Sequence, residues 1–128
     1  MSGYKTANLD DIKAEQWPYW APIRHHFDIG AFGINAWRGT DGDEVIKRHT
    51  ESESGQEELF IVLNGRCTFT VNGDEIAAPA GTLVYVSDAG AERVAFAKED
   101  GTVVLSIGGT RGTLFEPSGW DTGFLEGA

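Results

Sequence analysis

"EELFIVLNGRCTFTVNGDEIAAPAGTLVYVS", residues 57 to 87, decides the fold of this 128-residue chain. Its apolar residues fall into short runs rich in Val, Ile, Phe and Thr, closed by Asn-Gly or by a Pro-Ala-Gly turn. Runs of that length and composition, bounded by turn residues, predict strands. Asn64-Gly65 and Asn72-Gly73 supply the positive φ angles that tight hairpin turns demand.

The same pattern continues outward in both directions. "APIRHHFDIG", "AFGINAWRG" and "EVIKRHTE" precede the stretch, and "ERVAFAKE" and "TVVLSIGG" follow it around Asp100-Gly101. Short strands with a turn signal every 8 to 12 residues or so predict an all-β sandwich or barrel. "LDDIKAEQ", acidic at its front and stopped by Pro18, is the one predicted helix. The tail "GTLFEPSGWDTGFLEGA" is irregular, with aromatics expected to pack across the barrel exterior. No linker, internal repeat or low-complexity segment divides residues 1–128, which predicts a single domain.

Composition narrows the function classes. Hydrophobic content of 41% with 17 glycines fits a globular chain rich in turns. One cysteine cannot form an intramolecular disulfide. No apolar run approaches the ~18 residues of a membrane helix, and the N-terminus lacks a signal-peptide core, so the expected location is cytoplasmic and no membrane partner is expected. A net charge of -10 repels a phosphate backbone, and no basic stripe interleaves with aromatics, so nucleic acid is not an expected partner. Solubility accounts for the acidity.

Residues 57–87 also carry a resemblance. A strand opening with Glu58, an apolar run ending at Gly65, a second hairpin strand and a "PAG" turn into another apolar strand resemble the first half of the cupin signature. Glu58 followed by six residues and Gly65 matches the first cupin motif. The resemblance covers about residues 31–110 and implies a jelly-roll β-barrel, with a short N-terminal helix outside it.

What the resemblance implies about a metal is less regular. The first cupin motif places two histidines, two residues apart, before the glutamate; the matching pair here is His49 and Glu51, or Glu51 and Glu53 in another register. Residues two apart on a strand share a face. Six residues separate Glu51 from Glu58, where the family usually has three or four, so "SESG" reads as an insertion. A literal match to the second motif through Gly73, Pro79 and Gly81 puts Val84 in the place of its histidine, whereas counting strands puts Arg93 there. The strand count is the better guide. Arginine has five donors and no acceptor, so it cannot ligate a cation. Its fixed charge would instead pair with Glu58 or Glu51, worth roughly 4 kcal/mol at contact in an intermediate dielectric.

Two readings of function follow. In the first, the barrel holds a small molecule over a polar floor of His49, Glu51, Glu58 and Arg93, with Trp37 and Phe60 on its walls. Arg93 and His49 would take an anionic group; His49 would shuttle a proton and Glu58 would orient it, with no resident metal. In the second, the protein is a metal-dependent oxygenase or isomerase. His49, Glu58 and either His25 or His26, whichever faces inward from a strand, would hold iron, manganese, zinc or nickel. The alternative for those two histidines is stacking on a tryptophan or exposure to solvent. A non-catalytic module with a filled barrel is a third possibility.

Leu59, Ile61 and Leu63 share the face of their strand opposite Glu58, so both faces are apolar and the outer one needs a cover. A homodimer is expected. Cys67 alternates with Phe69 and Val71 as a small core residue. No phosphate-cradling glycine loop or Ser-His-Asp set is apparent.

Overall fold

The computed structural model describes residues 3–117. A 3-10 turn at Leu9–Asp11 and a two-residue strand β1, Trp20–Ala21, lead into a short helix α1, Ile23–Phe27. Eight further strands follow: β2 Gly33–Gly39, β3 Glu44–His49, β4 Glu57–Asn64, β5 Arg66–Val71, β6 Asp74–Pro79, β7 Leu83–Val86, β8 Arg93–Ala97 and β9 Thr102–Gly109. They form two antiparallel sheets, ordered β1-β2-β9-β4-β7 and β3-β8-β5-β6.

The chain crosses repeatedly between the sheets, and this revises the reading of its turns. Asn72-Gly73 closes a true hairpin between β5 and β6, with φ of 48° and 86°. Asn64-Gly65 and Asp100-Gly101 instead carry the chain from one sheet to the other, since β4 pairs with β7 and β9 while β5 pairs with β6 and β8. A Cβ at Gly65 would lie 2.8 Å from the Cα of Thr102, so the corner tolerates only glycine. The same dipeptide serves a hairpin or a corner, and only long-range pairing distinguishes them.

Two predicted elements are corrected. "LDDIKAEQ" forms only the 3-10 turn, capped by Asn8 through its Oδ1 and the amide of Asp10 at 2.9 Å. "APIRHHFDIG" is not a strand. Pro22 starts a helical turn, and Asp28 ends it in the left-handed region at φ 56°, where its amide and that of Ile29 satisfy the His25 and Arg24 carbonyls. Asp tolerates that conformation better than most side chains. The turn lets Ile23 join Ile12, Ala21 and Ala36 in an apolar cluster over the outside of β2 and β9.

The main core lies between the sheets. Alternation on β4 turns Phe60 and Val62 inward, where Phe60 meets Phe69 of β5 at 5.4 Å between ring centroids. Cys67, Val84, Val86 and Val104 are buried in the same cluster. Each such side chain contributes about 1.5–3 kcal/mol by leaving water. This packing fills one end of the sandwich and leaves the other open.

Candidate functional site

The open end is a cavity of about 830 Å³ between β2, β3, β4 and β9. Trp37 and Phe60 line it, and so do Asn35, Gln56, Ser106 and Phe115. Among the described residues the barrel is therefore not filled. Trp37 is held by its neighbours: it stacks on buried Trp20 at 6.0 Å, and its indole N–H donates to Ser106 at 3.3 Å.

His49 and Arg93 are register partners across β3 and β8. Val84 faces Phe60 within the apolar core, so it is Arg93 that occupies the site. Arg93 Nη1 donates to Glu58 Oε1 at 2.7 Å, and His49 Nε2 lies 3.3 Å from the same oxygen. The remaining Arg93 donors go to the carbonyls of Asp88, Ala89 and Ala91. Those carbonyls belong to the loop leading into β8, which curls around the guanidinium and leaves it fully buried. Arg93 does not line the cavity. Its charge reaches the cavity through Glu58, rather than by facing a ligand as the sequence reading expected.

Glu51 arrives by a different route from the one predicted. β3 ends at His49, so Glu51 is not its strand neighbour on a shared face. The "SESG" insertion forms a turn in which the Gly55 amide reaches the Glu51 carbonyl at 2.7 Å, and Glu51's own amide is held by Ala89. Its carboxylate comes within 3.7 Å of His49 Nε2.

Electrostatics follow from this crowding. The hydrogen bond to Glu58 holds the His49 pKa above the ordinary imidazole value, against the opposing effect of burial. Burial, then the charge of Glu58, pushes the Glu51 carboxyl up. The His49 Nδ1 lies 2.6 Å from the Lys47 carbonyl, which only accepts, so Nδ1 carries a proton and Nε2 is the exchangeable position. Donor atoms of His49, Glu51 and Glu58 all lie within 4.8 Å of one another, a set able to converge on one cation.

His25 and His26 stand apart from this group. On α1 neither lines the cavity. His25 Nε2 accepts from Arg24 at 3.0 Å and sets its ring edge against Trp20 at 6.5 Å; His26 packs edge-on against Phe27. His25 meets a tryptophan edge-on rather than stacked, and His26 is exposed to solvent. Sequence reasoning passed over Gln56 and Ser106, whose residue types are common on surfaces, and Phe115, expected on the exterior. Phe115 reaches the cavity because Gly33 has no side chain: a Cβ there would lie 3.2 Å from the ring. The aromatic residues Trp120 and Phe124 lie outside the described residues.

No family model matches the sequence, and no curated protein matches it. Solved structures do resemble it in fold. A cupin protein from Bacteroides fragilis superposes with a TM-score of 0.70 at 18% identity, covering 92% of this chain and 93% of its own. A sugar phosphate isomerase of the cupin superfamily from Silicibacter pomeroyi gives 0.62 at 20% identity, over 72% of this chain and 58% of that one. An oxalate decarboxylase, so named by prediction, from Thermotoga maritima gives 0.55 at 17% identity, over 73% and 74%.

Proposed function

We propose that this chain, a cupin by fold, holds a small molecule in its open cavity and acts on it by proton transfer at His49. The observation that carries the reading is the shared Glu58 oxygen, 3.3 Å from His49 Nε2 and 2.7 Å from Arg93 Nη1. A carboxylate held in place by a buried guanidinium holds the imidazole in one orientation. Nδ1 is occupied by the Lys47 carbonyl, so Nε2 alone gives or takes the proton. A raised imidazole pKa favours the proton-donating form near neutrality, with the neutral base regenerated at each turnover.

Isomerisation, the activity named for the Silicibacter neighbour, is one reaction that such a group would serve. Thermal-shift screening of small molecules against wild type and His49→Gln tests the reading. Ligands should raise the wild-type melting temperature, and any turnover should be lost in the variant. Turnover that survives in His49→Gln would remove the assignment.

A second reading rests on the donor set. His49 Nε2, Glu51 and Glu58 fit a divalent ion such as iron, manganese, zinc or nickel, and the hydrogen bond from Nδ1 to a backbone carbonyl is the usual orienting partner of a ligating imidazole. Such an ion would polarise a substrate oxygen. Arg93 works against it by placing a fixed positive charge on Glu58. Neither His25 nor His26 adds a donor from α1. Metal analysis after exhaustive dialysis separates the readings: stoichiometric metal favours the second.

A further inference from the structure

The ligand's charge class can be read from the cavity lining, granted the reading above that the cavity is a small-molecule site. Five lining side chains are carboxylates, against Arg38, Lys47 and His49. The cations are largely committed. Arg38 donates to the carbonyls of Leu9, Ile12 and Pro18, and Arg93 is sealed behind Glu58. His49 faces Glu51 and Glu58, while Lys47 stands at the rim with its side chain 70% exposed. An entering carboxylate or phosphate would meet the field of a chain carrying a net charge of -10, and among the described lining residues no buried guanidinium faces it.

Two buried amides make the second observation. Asn35 and Gln56 are each only 9% exposed and line the cavity. Asn35 Oδ1 accepts the Trp20 indole N–H at 2.8 Å; an indole only donates, so the amide orientation is fixed and Nδ2 keeps its two hydrogens. Neither Asn35 Nδ2 nor the Gln56 side-chain amide has a hydrogen-bond partner among the described residues, where no fully buried polar side-chain atom is left unsatisfied. Both amides therefore open onto the cavity. Gln56 is seated against bare backbone, since a Cβ on Gly108 would lie 2.8 Å from its Oε1. Trp17, Tyr19, Trp37 and Phe115 supply aromatic surface around them.

We propose that the cavity takes a small organic cation, an amine or quaternary ammonium that also carries a hydrogen-bonding group for Asn35 and Gln56, and rejects carboxylates and phosphates. The positive end is attracted by the lining carboxylates and by the aromatic faces, which favour cations electrostatically. The polar end hydrogen-bonds the two amides, which face the cavity without a protein partner among the described residues.

Choline, its uncharged carbon isostere neohexanol and the anion tert-butylacetate share one shape and differ in charge. Calorimetric titration of the full chain with each should give binding for choline, binding at least about tenfold weaker for neohexanol, and none for tert-butylacetate. Glu51→Gln, which keeps shape and volume, should weaken choline about tenfold, and Gln56→Leu should weaken all binding. Equal affinity for choline and neohexanol, or preference for the anion, overturns the cation assignment and leaves the cavity reading standing if Gln56→Leu abolishes that binding. Choline affinity unchanged in both variants places the binding elsewhere and overturns both readings. Failure of all three probes to bind overturns the cation proposal, and ligands found by the wider thermal-shift screen would then decide the cavity reading separately.

Discussion

His49 and Arg93 lie opposite each other across β3 and β8, and both converge on one carboxylate oxygen of Glu58, which belongs to the other sheet. Three strands distant in sequence thus meet at a single atom. The guanidinium is wholly buried and the imidazole about a third exposed, so the pair has a fixed side and an exchanging side.

Removing the fixed side should be costly. Arg93→Met leaves the largely buried Glu58 carboxylate with only His49 beside it and is expected to destabilise the fold by about 3–5 kcal/mol in urea denaturation. Arg93→Lys should recover only part of this, because an ammonium cannot serve Glu58 and three carbonyls with one planar fork. The double variant Arg93→Met with Glu58→Leu should be more stable than Arg93→Met alone. A double variant as weak as the single one would show that the loop contacts, not the charge pair, matter most.

Arg93→His exchanges the guanidinium for a lone pair beside His49, Glu51 and Glu58. Zinc affinity, measured by competition with a chelating dye, should rise at least about tenfold over wild type. An unchanged affinity would mean that Arg93 is not what limits metal binding at these donors.

The two raised pKa values carry the same sign. The folded-state pKa of His49 lies above 6.5, so its protonation stabilises the fold fully below 6.5 and the contribution is lost as pH rises through the folded value. The Glu51 carboxyl lies above 4.5 in the fold, so the contribution of its proton is full below 4.5 and fades as pH climbs through the raised value. Stability should decline as pH rises above 4.5 and further as it rises above 6.5, and His49→Gln should flatten the second part of that slope. The imidazole resonances should titrate with a midpoint above 6.5. A midpoint below it would contradict the Glu58 hydrogen bond.

Cys67 is buried in the core, and burial pushes its thiol up to about 11. A thiol reagent at about pH 8 should label the native protein no faster than it opens, while unfolded protein reacts at once. Rapid native labelling would show that β5 is not packed as described.

The outer face of the five-stranded sheet exposes Leu63, Leu83 and Tyr85, beside half-buried Leu59 and Ile61. Their apolar surface favours self-association, and a homodimer is the expected use of this face. Light scattering should give twice the 13.9 kDa chain mass, and Leu83→Asp should return it to one. A wild-type monomer at micromolar concentration would remove the dimer.

By itself the sequence determined strands β2 to β9, because alternating Val, Ile, Phe and Thr between turn residues is a local signal that survives in any all-β packing. It also determined that Glu58 shares a face with Phe60 and Val62, since side chains alternate along β4 by geometry alone. Arg93 could be placed by counting strands, and its register with His49 agrees. Three matters waited for the tertiary structure. The helical turn that removes His25 and His26 from the barrel depends on Asp28 accepting a left-handed backbone so that Ile23 can dock. Glu51 reaches the site through a turn whose first residue is held by the loop before β8. The sealing of Arg93, and with it the cavity's acidic character, depends on carbonyls distant from Glu58 in the chain. The first rests on an apolar contact and the others on polar contacts made across the fold, and residue order encodes such contacts only through the fold that brings them together.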